Sequence, residues 1–324
     1  MMNSTWNQPL PFVIEPTTSH TYSLILLHGL GSSGEKFGKE LIESGVCSDG
    51  KRLVDVLPGA RFIFPTSKKR RATALNRTKL RQWFDVASLD DPSQKPDVQL
   101  RGLTESLPEI LGLIDAESQK VPRENIIIGG MSRGCAMALI CLLILDSPLG
   151  GFIGMSGRLP LQREIEDVAK DDGGADSDNP FGSDTDNPFA HSDDECSKNQ
   201  EPITRVAEYL RGLLDQETLN KPGNANSSAT TPVFLGHGEA DDKVKHHFGK
   251  SAYETLMACG YRVTWKSYED LGHWYKIPDE IDDLVEFIQE EVSWHVDIRV
   301  SDHHPSPVAA QRTPGASSPS QHLP

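Results

Sequence analysis

NIIIGGMSRGCAMALICLL, residues 125–143, is the stretch on which the fold turns. The β-branched run Ile126–Ile128 predicts a buried strand, and Cys135–Leu145 has the apolar content of a buried helix. Between them stands Gly130-Met131-Ser132-Arg133-Gly134, the one Gly-x-Ser-x-Gly in the chain. A serine on so tight a strand-to-helix turn presents its hydroxyl to solvent and to any nearby base. A Cβ at Gly130 or Gly134 would collide with the neighbouring strand and helix. The helix N-terminus beneath Ser132 favours negative charge developing there. Ser132 is therefore the candidate nucleophile.

Working outward, short apolar runs recur: Leu24–Leu27, Arg61–Phe64, Phe152–Met155, Val233–Leu235 and Arg262–Tyr268. They alternate with helical periodicity over Leu103–Gln119 and Pro278–Val292. This alternation predicts an α/β fold, with a mostly parallel sheet covered by helices on both faces. In such sheets, ligands bind beyond the carboxyl ends of the strands. SLILLHGLGSSG, residues 23–34, ends the first of these runs and has two readings. Gly29, Gly31 and Gly34, with Asp55 downstream, satisfy a dinucleotide fingerprint. Alternatively, His28-Gly29-Leu30-Gly31 is an oxyanion loop, whose Leu30 N–H would join that of Arg133 around a tetrahedral oxyanion. The second reading is favoured because it alone uses Ser132 and the later acid and base. Those follow in the order Ser, Asp, His. The loop Gly236–Asp242 offers Glu239, Asp241 and Asp242, and the turn Glu269–Trp274 offers His273. His273 would move the proton of Ser132, and Asp241 would hold the ring. His237 reads as a packing residue at a strand end.

The chain has 324 residues and a net charge of −15, which disfavours nucleic acid as a partner. Residues 164–201 hold thirteen acidic and two basic side chains, and include the repeated SDNPFG and TDNPFA. Their composition predicts a disordered insertion, with the Asn-Pro-Phe units as a candidate docking motif for a partner. Ile203, Val206, Leu210, Leu213 and Leu214 form the stripe of an amphipathic helix over 203–219, either a lid or a surface helix. The expected organisation is one domain over 10–298 and a Pro/Ser/His-rich tail over 299–324. No apolar run reaches the ~18–20 residues needed to span a bilayer, and the N-terminus has no signal-peptide pattern. The five cysteines show no CxxC spacing and suit a reducing, cytoplasmic setting. The run Lys68-Lys69-Arg70-Arg71 reads as a solvated loop, with an anionic-lipid contact or a nuclear signal as alternatives.

LILLHGLGSSG, FIFPTS, Trp83-Phe84-Asp85, IIIGGMSRGCAMAL, MSGRLPL, FLGHGEADDKV and YEDLGHW, in that order, resemble the acyl-protein thioesterase/carboxylesterase family of α/β-hydrolases. The resemblance covers most of residues 20–292. It implies an α/β-hydrolase fold, a catalytic set of Ser132, Asp241 and His273, and no metal or cofactor. It also implies S-acylated proteins, lysophospholipids or small esters as substrates. Two positions depart from the family pattern: Arg133 stands where Gln is usual, and Arg158 where an aromatic residue is usual. These motivate a second reading, a carboxylesterase for short or specialised esters. A third is an inactive scaffold that binds partners through the Asn-Pro-Phe repeats.

Overall fold

The computed structural model describes residues 9–171, 200–216 and 228–296. In chain order the elements are β1 (Phe12–Ile14), β2 (Tyr22–Leu27), α1 (Gly34–Ser44), α2 (Leu53–Val56), β3 (Ala60–Phe64), β4 (Lys69–Ala72) and β5 (Thr78–Arg81). Then come α3 (Asp97–Ser118), β6 (Ile126–Met131), α4 (Arg133–Ile144), β7 (Gly151–Met155), α5 (Gln162–Lys170) and α6 (Pro202–Leu213). The chain continues through β8 (Val233–Gly238), α7 (His246–Ala258), β9 (Val263–Tyr268) and α8 (Asp279–Glu290).

Seven strands form one sheet in the order β1-β3-β2-β6-β7-β8-β9. Only β1 runs antiparallel within it, paired to β3. This is the α/β-hydrolase architecture. Alternation along each strand sends side chains to two separate cores. Ile25, Leu27, Ile126, Ile128, Phe152, Val233 and Leu235 meet α3, α4, α6 and α7 on one face. Leu24, Leu26, Ile127, Ile153, Met155 and Phe234 meet α1, α2 and α8 on the other. The runs are apolar throughout because both faces are covered. The central helix α4 is buried along its whole length, which explains why its apolar residues lack a polar side. None of the described helices is long and apolar enough to cross a membrane.

Three expectations are corrected. Residues 164–170, expected to be disordered, belong to α5, which buries Ile165 and Ala169. Arg205 of α6 donates to the carbonyls of Val168 and Ala169 and so caps the last turn of α5. High acidic content in this stretch conceals one apolar face of a helix. The Asn-Pro-Phe repeats and the tail lie outside the described residues. Second, α6 ends at Leu213 rather than near 219 and packs its buried Ile203, Val206 and Leu210 into the core shared with α4. Arg211 donates to Ile144 O at the end of α4, so α6 fastens α4 and α5 together. No residue of α6 lines the cleft described below. Third, Lys69–Ala72 is a strand paired to β5, not a solvated loop. Lys68 pairs with Glu109, and Arg70 pairs with Glu105 on α3.

Candidate active site

The turn after β6 is set by backbone. Ser132 has φ 56° and ψ −119°, outside the regions an L-residue normally occupies. Its N–H donates to Met155 O at 2.8 Å, and its carbonyl accepts Ala136 N–H at 3.0 Å, so strand becomes helix with no intervening loop. A Cβ on Gly130 would lie 2.3 Å from Leu27 O, and one on Gly134 would lie 2.0 Å from the same atom. Both glycines are therefore required by the close approach of β2, as the sequence predicts.

His273 sits in the loop after β9 and bridges two partners. Its Nδ1 is 2.8 Å from Asp241 Oδ2, and its Nε2 is 2.8 Å from Ser132 Oγ. A carboxylate only accepts, so Nδ1 carries the proton and Nε2 is left to receive one from the serine. Asp241, in the loop after β8, is buried. Its Oδ1 accepts the N–H groups of Lys243 and Val244 at 2.8 and 2.9 Å. Burial opposes its ionisation, but hydrogen bonds from His237, His273 and Val244 outweigh it and hold its pKa well below the usual carboxylate range. Glu239 and Asp242, the other acids of that loop, lie at the surface, where they engage Ser267 and Lys243.

His237 does more than the packing expected of it. Its Nε2–H donates to Val244 O at 2.8 Å and lies 3.3 Å from Asp241 Oδ2. It thus supports the same carboxylate oxygen that His273 engages. Ser156, at φ 47°, donates from Oγ to Trp274 O at 3.0 Å and anchors the residue following His273.

The loop after β2 comes up against the serine. A Cβ on Gly29 would lie 3.4 Å from Ser132 Cβ. His28 is buried, and its Nδ1–H donates to Gly29 O at 2.7 Å. Its Nε2 accepts Ser67 N–H at 3.1 Å, while Trp83 Nε1 donates to His28 O at 2.9 Å. The Gly29 carbonyl and the Leu30 N–H belong to one planar trans peptide, so fixing the carbonyl fixes the direction of that N–H. Burial, the largest influence, pulls His28 down to about 4, which keeps it neutral in this role. Arg133 is the first residue of α4, and its N–H has no acceptor within the helix. Leu30, Ser132, Arg133 and His273 line one cleft of about 500 Å³.

Further walls come from Phe37, Phe84, Val86, Leu89, Phe248 and Trp274. Arg133, which stands where Gln is usual, folds into the wall. It is 8% exposed and donates to Gln82 Oε1 and to Phe84 O. Burial lowers it to about 10, with Asp85 as a partial counter-charge. Residue patterns alone did not mark Gln82 and Phe84 as parts of the site; the Trp83-Phe84-Asp85 motif pointed to Phe84, and nothing pointed to Gln82 just before it.

Comparison with known proteins gives one concordant result. The family model described as Phospholipase/Carboxylesterase matches residues 8–172 and 194–292. Acyl-protein thioesterase 1 of Candida albicans is 26% identical over 275 residues, covering 83% of this chain and 92% of its own. Acyl-protein thioesterase 1 of Schizosaccharomyces pombe is 33% identical over 150 residues, 46% of this chain and 61% of its own. The crystal structure of Zea mays acyl-protein thioesterase 2 superposes with a TM-score of 0.59 at 24% identity, covering 87% of this chain and 98% of the maize chain.

Proposed function

Because the chain belongs to the phospholipase/carboxylesterase family of α/β-hydrolases, we propose that it cleaves thioesters or carboxylic esters through an acyl-enzyme on Ser132. The observation that carries this reading is His273, hydrogen-bonded at once to Ser132 Oγ and to Asp241. Ser132 Oγ attacks the acyl carbonyl while His273 Nε2 takes its proton. The Leu30 and Arg133 N–H groups receive the oxyanion; one such donor is worth about 3–4 kcal/mol in the transition state. Asp241 steadies the imidazolium. The tetrahedral adduct collapses, the thiol or alcohol leaves with the proton from His273, and water then releases the acid by the same steps in reverse order.

S-acylated proteins are the first substrate class to test, since the curated relatives are acyl-protein thioesterases. Lysophospholipids and small esters follow. A cytoplasmic site of action belongs to the same proposal and rests on four buried, unpaired thiols, Cys47, Cys135, Cys141 and Cys259. The two arginines in the cleft favour a second reading, an esterase for short or specialised acyl groups.

Labelling with a fluorophosphonate, followed by peptide mapping, tests the mechanism directly. One adduct on Ser132, abolished by prior heat unfolding, is the expected result. Absence of an adduct on folded protein overturns the proposal.

A further inference from the structure

The cleft carries a charge opposite to that of the protein around it. The chain has a net charge of −15, yet the charged residues lining the cleft are Lys36, Arg133, Arg158 and Lys243 against a single carboxylate, Glu40. Asp241 is shielded behind His273 and does not line it. Two of these cations stand on the same ring. Arg133 Cζ lies 5.6 Å and Arg158 Cζ 6.0 Å from the centroid of Phe84.

Their surroundings differ. The Arg133 guanidinium is bound to Gln82 and Phe84 and feels Asp85. Arg158 is partly buried and, among the described residues, has no hydrogen-bond or ion-pair partner; the ring is its only close contact of that kind. It also borders a second cavity lined by Asp91, Arg163, Glu164, Glu166 and Glu254. None of those carboxylates pairs with it. Asp91 is held by Ser93, and Glu166 by Gln162 and Thr255. Burial, with the like charge of Arg133 added, pushes Arg158 down to about 9, still a cation at neutral pH. A guanidinium that is desolvated, unpaired and next to another cation is costly unless an anion arrives to meet it.

We propose that the site selects substrates bearing an anionic oxygen group, carboxylate or phosphate, and that Arg158, stacked on Phe84, is the residue that receives it. The planar fork of Arg158 suits a two-point contact with such a group. Arg133 adds charge to the wall without offering its already committed NH1 donor. The proposal rests on the ester-hydrolase reading above and narrows it from any acyl substrate to a charged one.

The test compares kcat/KM within two matched pairs of esters. p-Nitrophenyl valerate against mono-p-nitrophenyl glutarate places a carboxylate on the acyl group. A short-chain monoacylglycerol against the corresponding lysophosphatidate places a phosphate on the leaving group. In the wild type, the anionic member of at least one pair is favoured about tenfold or more. The favoured pair identifies whether the anion sits on the acid or the alcohol. In Arg158→Gln that ratio falls about 10- to 100-fold, the range expected for one charge-assisted contact, and Arg158→Lys keeps much of it. A ratio is read so that a general loss of activity cancels. Ratios near one in both pairs, or a ratio unchanged in Arg158→Gln, overturn the proposal.

Failure of the underlying hydrolase reading has a different signature: none of the four esters turns over and Ser132 takes no fluorophosphonate. The anion site is then read by calorimetry of glutarate binding to Ser132→Ala. Binding that disappears in Ser132→Ala/Arg158→Gln upholds the site, and no binding to Ser132→Ala overturns it.

Discussion

Two walls of the same cleft are built on different principles. At the turn after β6, the position of Ser132 follows from backbone: the φ and ψ of one residue, two glycines against Leu27 O and the bond to Met155 O. The wall that carries charge is built from side chains, with Arg133 and Arg158 both close to the Phe84 ring. Backbone constraints cannot be changed one residue at a time without breaking the sheet, whereas side chains on a scaffold can. The contrast teaches that reaction geometry and substrate choice are held by separable parts. The reacting groups sit in the rigid part, where small displacements cost much, and selectivity sits in the replaceable part.

The largest effect is expected at the rigid side. Asp241→Asn keeps the shape of the loop but reverses the donor and acceptor roles facing His273 Nδ1. The Ser-His-Asp precedent puts the loss in kcat at about 10⁴-fold. Steady-state kinetics on a p-nitrophenyl ester, with circular dichroism to confirm folding, measure it. A loss of less than tenfold would remove Asp241 from the chemistry.

Gly134→Ala tests whether the turn is as constrained as it looks. The added Cβ would lie 2.0 Å from Leu27 O, an approach backbone atoms cannot relieve without shifting β2. Destabilisation above about 4 kcal/mol follows, the range of severe core disruptions. Urea denaturation, or loss of soluble protein, reports it. A variant within about 1 kcal/mol of wild type would mean that the turn has slack, and the contrast between the two walls would fail.

Acid stability sharpens the comparison on the oxyanion side. Burial lowers His28 to about 4, from 6.5 for the free side chain. Between those values the unfolded chain binds the proton and the folded one refuses it, so stability falls as pH falls. The contribution is complete above pH 6.5 and is lost toward pH 4, at about 1.4 kcal/mol per pH unit. Asp241 also loses its stabilising ionisation in acid, but its depressed pKa places that loss below the ordinary carboxylate value. Urea midpoints across pH 4–7 should therefore show a slope that flattens in His28→Asn. A slope unchanged in that variant would show that His28 is not the titrating group.

The same division decides what could be read from the sequence. The central strands were legible because burial on both faces demands unbroken apolar runs such as Ile126–Ile128. Ser132 and Asp241 were legible because each stands in the turn that ends such a run, and His273 because its turn follows the last predicted strand in the order the chemistry requires. Elements whose stabilisation is not local were hidden. The edge strand Phe12–Ile14 is only three residues long. The Lys69–Ala72 strand exposes two cations and depends on Glu105, thirty-five residues beyond Arg70, for its partner. The helix Gln162–Lys170 depends on Arg205 from another helix. His237 was read as packing because no residue pattern relates its ring to the carboxylate of Asp241. The pairing of Arg133 with Arg158 over one ring is likewise a product of the fold, since β7 lies between them in the chain.

The smallest expected effect lies in that pair and bears on whether the side-chain wall is a single unit. Arg133→Gln removes the bonds to Gln82 Oε1 and Phe84 O beside a cleft that water can enter, so the loss in stability is about 1 kcal/mol. Part of that loss is offset, because each single substitution also removes the repulsion between two like charges on one ring. In the double variant Arg133→Gln/Arg158→Gln this relief is gained once, not twice. The double variant is therefore less stable than the two single changes added together, by about 0.5 kcal/mol or more. Urea midpoints at unchanged m-value measure the difference. Strict additivity would mean that the two guanidinium groups do not sense each other, and the side-chain wall would then be two independent positions.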